Sequence, residues 1–178
     1  VTDRQAHVLE IALATFARYG YRKTSMDDVA RAADISRPGL YFLWASKQSL
    51  FRAAVVHALD GDLAAVERIL ADADRPLRDR LIAAFDAWTG RYVGPMAQEI
   101  AVLIDTSPEL LGPIADDYPK RFLSLLSDAV PDDVARTLRS TAIGIKQEAA
   151  TRAEFVERMT IAVDLIVTPP AGRAARGR

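Results

Sequence analysis

The sequence predicts an all-α protein, and three observations carry that expectation. Apolar residues recur three and four apart along nearly the whole chain. No stretch shows sustained alternation of apolar and polar residues, and 31 of the 178 residues are alanine, the strongest helix former. Caps, glycines and prolines divide the chain into about nine helices.

Each element has a local reason. Thr2 and Gln5 have capping-box spacing, Leu9, Ala12, Leu13 and Phe16 form one stripe, and Gly20 suits the position just past the helix end. Ser25 caps a short second helix to Ala33, with Asp27 and Asp28 in the first turn, where the dipole favours anions. Ser36 caps a third helix, in which Pro38 is tolerated because it falls in the first turn. Ser46 caps a fourth, running to residue 73, roughly 42 Å at 1.5 Å per residue. Pro76 opens a helix to Tyr92, broken by Gly94-Pro95, and residues 96–105 form another. A segment beginning at Ser107-Pro108 is disturbed by Gly112-Pro113 and Pro119 before it ends at Ala129. Pro131 starts a helix to Glu148, and Thr151 caps the last one. The tail at 169–178 is rich in Pro, Gly and Arg and reads as disordered and basic.

Composition excludes several classes of function. The chain has no cysteine, which removes a disulfide scaffold, a thiolate zinc site, an iron–sulfur cluster and a cysteine nucleophile together. Its apolar runs, such as residues 100–104, are far below the roughly 18 residues of a membrane helix. No export signal pattern opens the sequence, so the expected compartment is the cytoplasm. There are only two histidines, His7 and His57, without the spacing of a zinc or di-iron site, and no nucleophile elbow or phosphate-cradling loop. His57, Asp60 and Asp62 could be drawn as a metal site, but they read more simply as the solvated face of the fourth helix. No catalytic or metal residues are expected, and no cofactor.

The net charge of −1 hides an asymmetry: residues 1–50 carry seven Lys/Arg against five Asp/Glu, whereas residues 51–168 carry thirteen against nineteen. A mildly basic head on an acidic body hints at a polyanionic partner for the head. Spacing makes the hint concrete. A short helix, a turn of about three residues and a second short capped helix describe a helix-turn-helix, whose second helix enters the DNA major groove. Leu40 and Trp44, four apart, face the small core, which leaves Arg37, Pro38, Gly39, Tyr41 and Phe42 towards DNA. On spacing alone a plain helical hairpin with a packed Tyr and Phe stays open.

The string of residues goes further. Phe16, Tyr19-Gly20-Tyr21, Thr24-Ser25-Met26 and Val29-Ala30, then Ala33-Asp34-Ile35-Ser36-Arg37-Pro38-Gly39-Leu40-Tyr41, then Ser46-Lys47 and Leu50-Phe51, closely resemble the TetR family of transcriptional repressors. The resemblance is dense over residues 4–55 and rests beyond them on length and helical pattern. It implies a helix-turn-helix DNA-binding domain at 1–47 and a helical effector-binding and dimerisation domain at 48–168. It further implies a homodimer, a palindromic double-stranded operator and a small-molecule effector. Carried over by position, Thr24 and Ser25 match backbone contacts and Arg37, Pro38 and Gly39 match base-reading positions. Tyr41 and Lys47 match phosphate contacts, and with Ser36 and Phe42 they complete the expected DNA-binding set. Helix N-termini suit Ser25 and Ser46-Lys47 as phosphate clamps, and Arg37 suits a bidentate guanine contact. The sequence departs from the family at three places: Asp34 where Gly is usual, Leu43 where His is common, and Trp44 for Phe. Asp tolerates the left-handed backbone that such a turn requires.

In the body, Val134, Leu138, Thr141, Ala142 and Ile145 form one stripe and Phe155, Met159, Ala162, Val163 and Ile166 another. Paired with a two-fold copy these would make a four-helix bundle, although some of them must cover the protomer's own core. Phe85, Trp88 and Tyr92, with Met96, Leu103, Tyr118 and Phe122, would line a pocket for a largely apolar effector. Plain core is the competing assignment for that aromatic stripe.

Overall fold

The computed structural model describes residues 2–94 and 108–167, and among them every regular element is helical. In chain order these are α1 (Asp3–Tyr19), α2 (Met26–Ala32), α3 (Arg37–Leu43), α4 (Lys47–Ala71), α5 (Leu77–Trp88), a 3-10 turn (Gly90–Tyr92), α6 (Pro108–Leu111), α7 (Ile114–Ala129), α8 (Asp132–Glu148) and α9 (Arg152–Val167). The chain divides into two compact units, Val1–Gly61 with Pro95–Tyr118, and Asp62–Gly94 with Pro119–Arg178. The expected helix at 96–105 and the tail at 169–178 lie outside the described residues.

In the first unit the caps form where the sequence places them. Thr2 and Gln5 close a capping box on α1, and Ser25 and Asp28 close one on α2. The Ser25 hydrogen bonds hold the Asp28 carboxyl below its ordinary range. Ser36 accepts from the Gly39 amide at the start of α3, and Ser46 accepts from the Ser49 amide at the start of α4. Each bond satisfies an amide that the first helical turn otherwise leaves open. Val8, Leu9, Ala12 and Phe16 of α1 are buried, as are Val29, Leu40, Leu50 and Phe51. Phe16, Tyr21 and Phe51 form a ring cluster, with centroids 5.1–5.7 Å apart, the spacing at which tilted aromatic pairs attract.

In the second unit α9 packs on α5 and on α8. Phe155, Met159 and Val163 of α9 are buried, with Leu81 and Phe85 of α5 and Leu138 and Ala142 of α8. Ion pairs tie the edges: Arg78 grips Asp164 through two nitrogens, at 2.5 and 2.8 Å. Arg152 grips Asp86 in the same way, at 2.6 and 2.8 Å.

Two expectations change, the end of the Pro76 helix and the effect of Pro119. The helix opened by Pro76 ends at Trp88, and the chain tightens into a 3-10 turn before Tyr92. Glycine fits position 90 of that turn, because a Cβ there would lie 2.6 Å from Asp86 Oδ1 and 2.9 Å from the Phe155 ring. Pro119 does not disturb its segment; it sits inside α7, where it removes a main-chain donor without ending the helix. The interruption falls at Gly112, whose φ of 58° is left-handed.

Candidate nucleic-acid interface

The turn between α2 and α3 is held by Asp34, at φ 50°, the one non-glycine positive φ among the described residues. Its short polar side chain makes that conformation accessible. The Ile35 amide closes the turn on the Ala30 carbonyl at 3.0 Å. Gly39 lets Ser36 come close, since a Cβ at that position would stand 2.9 Å from Ser36 Oγ.

The result is a short helix that turns nearly everything outward. Leu40 is the buried side chain of α3. Ser36, Arg37 and Pro38 are exposed and Tyr41 is 40% accessible, while Phe42 reaches 89%. A phenyl ring that open contributes nothing to the head's core. Trp44 is half-buried at the C-terminal end of α3, and Leu43 is partly exposed.

Arg37 is not free in solvent. Its Nε lies 3.0 Å from Asp27 Oδ1, and its guanidinium carbon sits 5.7 Å from the centre of the Tyr41 ring. The ion pair is not an aligned hydrogen bond, because Oδ1 is buried and receives no donor in good geometry. Ser25 Oγ donates to Asp28 at 2.6 Å.

Two residues sit differently from what the sequence suggests. Thr24 is buried, and its hydroxyl donates to the Gly20 carbonyl at 2.9 Å. Its amide donates to the same carbonyl, so both donors are turned inward and its side chain offers no contact to a polyanion. Lys47 is half-buried, and its Nζ donates to the Tyr21 and Thr24 carbonyls, each at 3.0 Å, while lying 4.5 Å from the Tyr21 ring centre. An ammonium has three donors, and these two bonds use two of them. Lys47 thus ties the α1–α2 turn to the start of α4, a role invisible in a sequence where the partners are 26 and 23 residues apart.

In the body, Leu138, Ala142, Ile145, Phe155, Met159 and Val163 are buried within the protomer, so these six of the expected interface residues cover its own core. Val134, Thr141, Ala162 and Ile166 are half-buried. The open apolar positions are instead Ile143 of α8 and Ile161 and Leu165 of α9, with Leu165 66% accessible. Of the expected pocket residues, Phe85 and Phe122 are buried and meet edge to face at 5.5 Å, and Trp88 stacks on Phe122 at 4.9 Å. Tyr118 belongs to the first unit, where its hydroxyl donates to Asp60 at 2.7 Å. Met96 and Leu103 lie outside the described residues.

Of His57, Asp60 and Asp62, assigned to a solvated face, Asp60 is exposed and His57 half-buried, but Asp62 is not on that face. It is completely buried, ion-paired with Arg91, and accepts from the Tyr92 hydroxyl at 2.5 Å. Burial pushes its carboxyl above the ordinary range and pushes the Tyr92 phenol up as well. Among the described residues no group of three His, Cys, Asp or Glu is placed to hold a metal, and no helix is long and apolar enough to cross a membrane.

A capped, outward-facing second helix on a three-helix head, followed by a larger helical body, defines a helix-turn-helix architecture. Residues 8–54 match the model for the bacterial regulatory proteins of the tetR family, and over that segment the chain is similar to the TetR family. It is 35% identical over 65 residues to the uncharacterized HTH-type transcriptional regulator YfiR of Bacillus subtilis (strain 168), a match spanning 36% of this chain and 32% of that protein. The chain thus spans about a third of the length of the curated relatives it matches. The fold is shared more widely. A TetR-family transcriptional regulator structure from Mesorhizobium loti superposes with a TM-score of 0.77 at 18% identity, covering 92% of this chain and 95% of the other. The multidrug binding protein EbrR complexed with imidazole gives 0.62 at 20% identity, covering 91% and 96%.

Proposed function

We propose that this chain is a homodimeric, sequence-specific DNA-binding transcriptional regulator of the cytoplasm. In this reading it is a repressor released from a palindromic operator when a small, largely apolar effector binds the C-terminal domain. The observation that carries it is α3: one buried leucine, and an outer face of Arg37, Pro38, Tyr41 and Phe42 set by a side-chain cap. A major groove accepts one helix presented in this way and shows a distinct donor and acceptor pattern for each base pair. Ser25, Ser36, Tyr41 and the third donor of Lys47 are the backbone contacts, and Arg37 is the base reader. Gly39 allows the close approach of main chain to groove. Ile143, Ile161 and Leu165, with the half-buried Val134, Thr141, Ala162 and Ile166, supply the two-fold contact, since isolated apolar surface of this kind gains from burial against a copy.

The test is selection of bound duplexes from a random pool at physiological salt, because salt sets the non-specific background. A consensus with two similar inverted half-sites is the expected result. Absence of any enrichment with folded dimeric protein would refute it.

One observation favours a second reading, a DNA-binding dimer without a small-molecule effector. Phe85 and Trp88 each pack on the Phe122 ring, and aromatic pairs of this kind are stable without a ligand between them. EbrR, a multidrug binding protein, shares the fold and supports the effector reading instead. Saturable quenching of Trp88 fluorescence by apolar aromatic compounds decides between the two.

A further inference from the structure

We infer that Asp27 is a specificity-determining residue: it positions the Arg37 guanidinium for one guanine in each half-site. The inference rests on the reading of α3 as the base-reading helix and deepens it.

The geometry starts from a paradox of charge. Asp27 stands in the first turn of α2, and its carboxylate is the group nearest the arginine that faces DNA. A negative charge beside a phosphate-lined groove opposes binding through simple repulsion. The dipole of α2 favours an anion in that first turn, and the ion pair with Arg37 gives this carboxylate a second role. A lone arginine side chain has many rotamers and loses them all on docking. Here the guanidinium is bounded on one edge by Asp27 Oδ1, 3.0 Å from Nε, and lies 5.7 Å from the Tyr41 ring centre. A contact made through Nε spares the terminal Nη1–Nη2 edge, the edge that forks to guanine O6 and N7.

Asp27 Oδ1 is buried and lacks an aligned donor, although Nε is already at hydrogen-bond distance. A rotation of the guanidinium that turns Nε–H onto Oδ1 completes the bond without moving either backbone. The carboxylate then holds the arginine plane while the free edge meets the base. Lysine cannot substitute, because it has no second edge to hold.

The test uses the full chain and the palindromic duplex it selects, with each base of the half-site varied in turn at fixed salt. The variants are Asp27→Asn, which keeps the shape and removes the charge, Asp27→Glu, Arg37→Ala and the Asp27→Asn/Arg37→Ala pair. Wild type is expected to prefer guanine at the Arg37 position by about 5- to 150-fold per half-site, the range of a bidentate contact. Asp27→Asn should shrink that preference at the same position, Asp27→Glu should restore part of it, and the double variant should do no more than Arg37→Ala alone. Three results would overturn the inference while leaving the regulator reading intact. One is an unchanged preference in Asp27→Asn with tighter binding to every duplex. Another is a change at a different base pair, which would make Asp27 itself the reader of a cytosine. The last is a selective wild type whose preference survives Arg37→Ala. A wild type that selects no sequence at all would overturn both readings.

Discussion

The third helix, α3, and the last helix, α9, both expose large apolar side chains, and they do so on opposite terms. α3 spans Arg37–Leu43 and buries Leu40, whereas α9 spans Arg152–Val167 and buries Phe155, Met159 and Val163 while exposing Ile161 and Leu165. In α9 the exposed residues ride on a helix already anchored by its own core. In α3 the helix is held by a cap, a left-handed Asp34 and one leucine. The difference teaches where stability and surface chemistry are encoded. The head keeps its outer face free of any duty to the core, so that face can change with little effect on folding.

The comparison breaks first at Phe155. Phe155→Ala removes a buried ring packed against Gly90 and should cost about 3–5 kcal/mol, read as a lower midpoint in urea denaturation. Lys47→Ala stands in between. It removes two hydrogen bonds from a half-buried ammonium, so a loss of about 1–2 kcal/mol is expected. In the proposed regulator it also weakens binding to all duplexes alike and makes the salt dependence shallower. At the small end, Phe42→Ala should leave the midpoint within about 0.5 kcal/mol of wild type, while in the proposed regulator it should weaken DNA binding. A large drop in stability from Phe42→Ala would erase the contrast between the two helices.

Acid sharpens the same contrast. The hydrogen bonds from Arg78 hold Asp164 below the ordinary carboxylate range. A depressed folded value means that this tether stabilises fully above the unfolded value, about 3.9, and is lost as pH falls through the folded one. Asp62 runs the other way. Its raised carboxyl favours folding most below the unfolded value, and that contribution disappears as pH rises through the folded one. Arg78→Met should therefore flatten the acid limb of a stability–pH curve, and Asp62→Asn should change the curve at higher pH. Unchanged curves would remove both assignments.

Much of this was legible before any coordinate. Capping boxes at Thr2 and Ser25, the cap at Ser36, and the turn at Asp34 are contacts over three or four residues, decided by side-chain oxygens and backbone sterics. The apolar spacing of α8 and α9 was equally plain, and so was the identity of the outward face of α3. What periodicity could not say is which partner covers a stripe. Leu138 and Phe155 read as equally good for a core and for an interface, because both remove the same apolar area from water.

By itself, then, the sequence determined most of the described helices, the side-chain caps at Thr2, Ser25, Ser36 and Ser46, and the face that α3 turns outward, since each depends on neighbours within one turn. Only the tertiary structure decided the long-range partners: Arg91 and Tyr92 returning to bury Asp62, Lys47 reaching back to Tyr21 and Thr24, and Asp27 beside Arg37. A buried charge or a half-buried ammonium is stable only when a partner meets it, and sequence spacing across 10 to 30 residues does not encode that meeting.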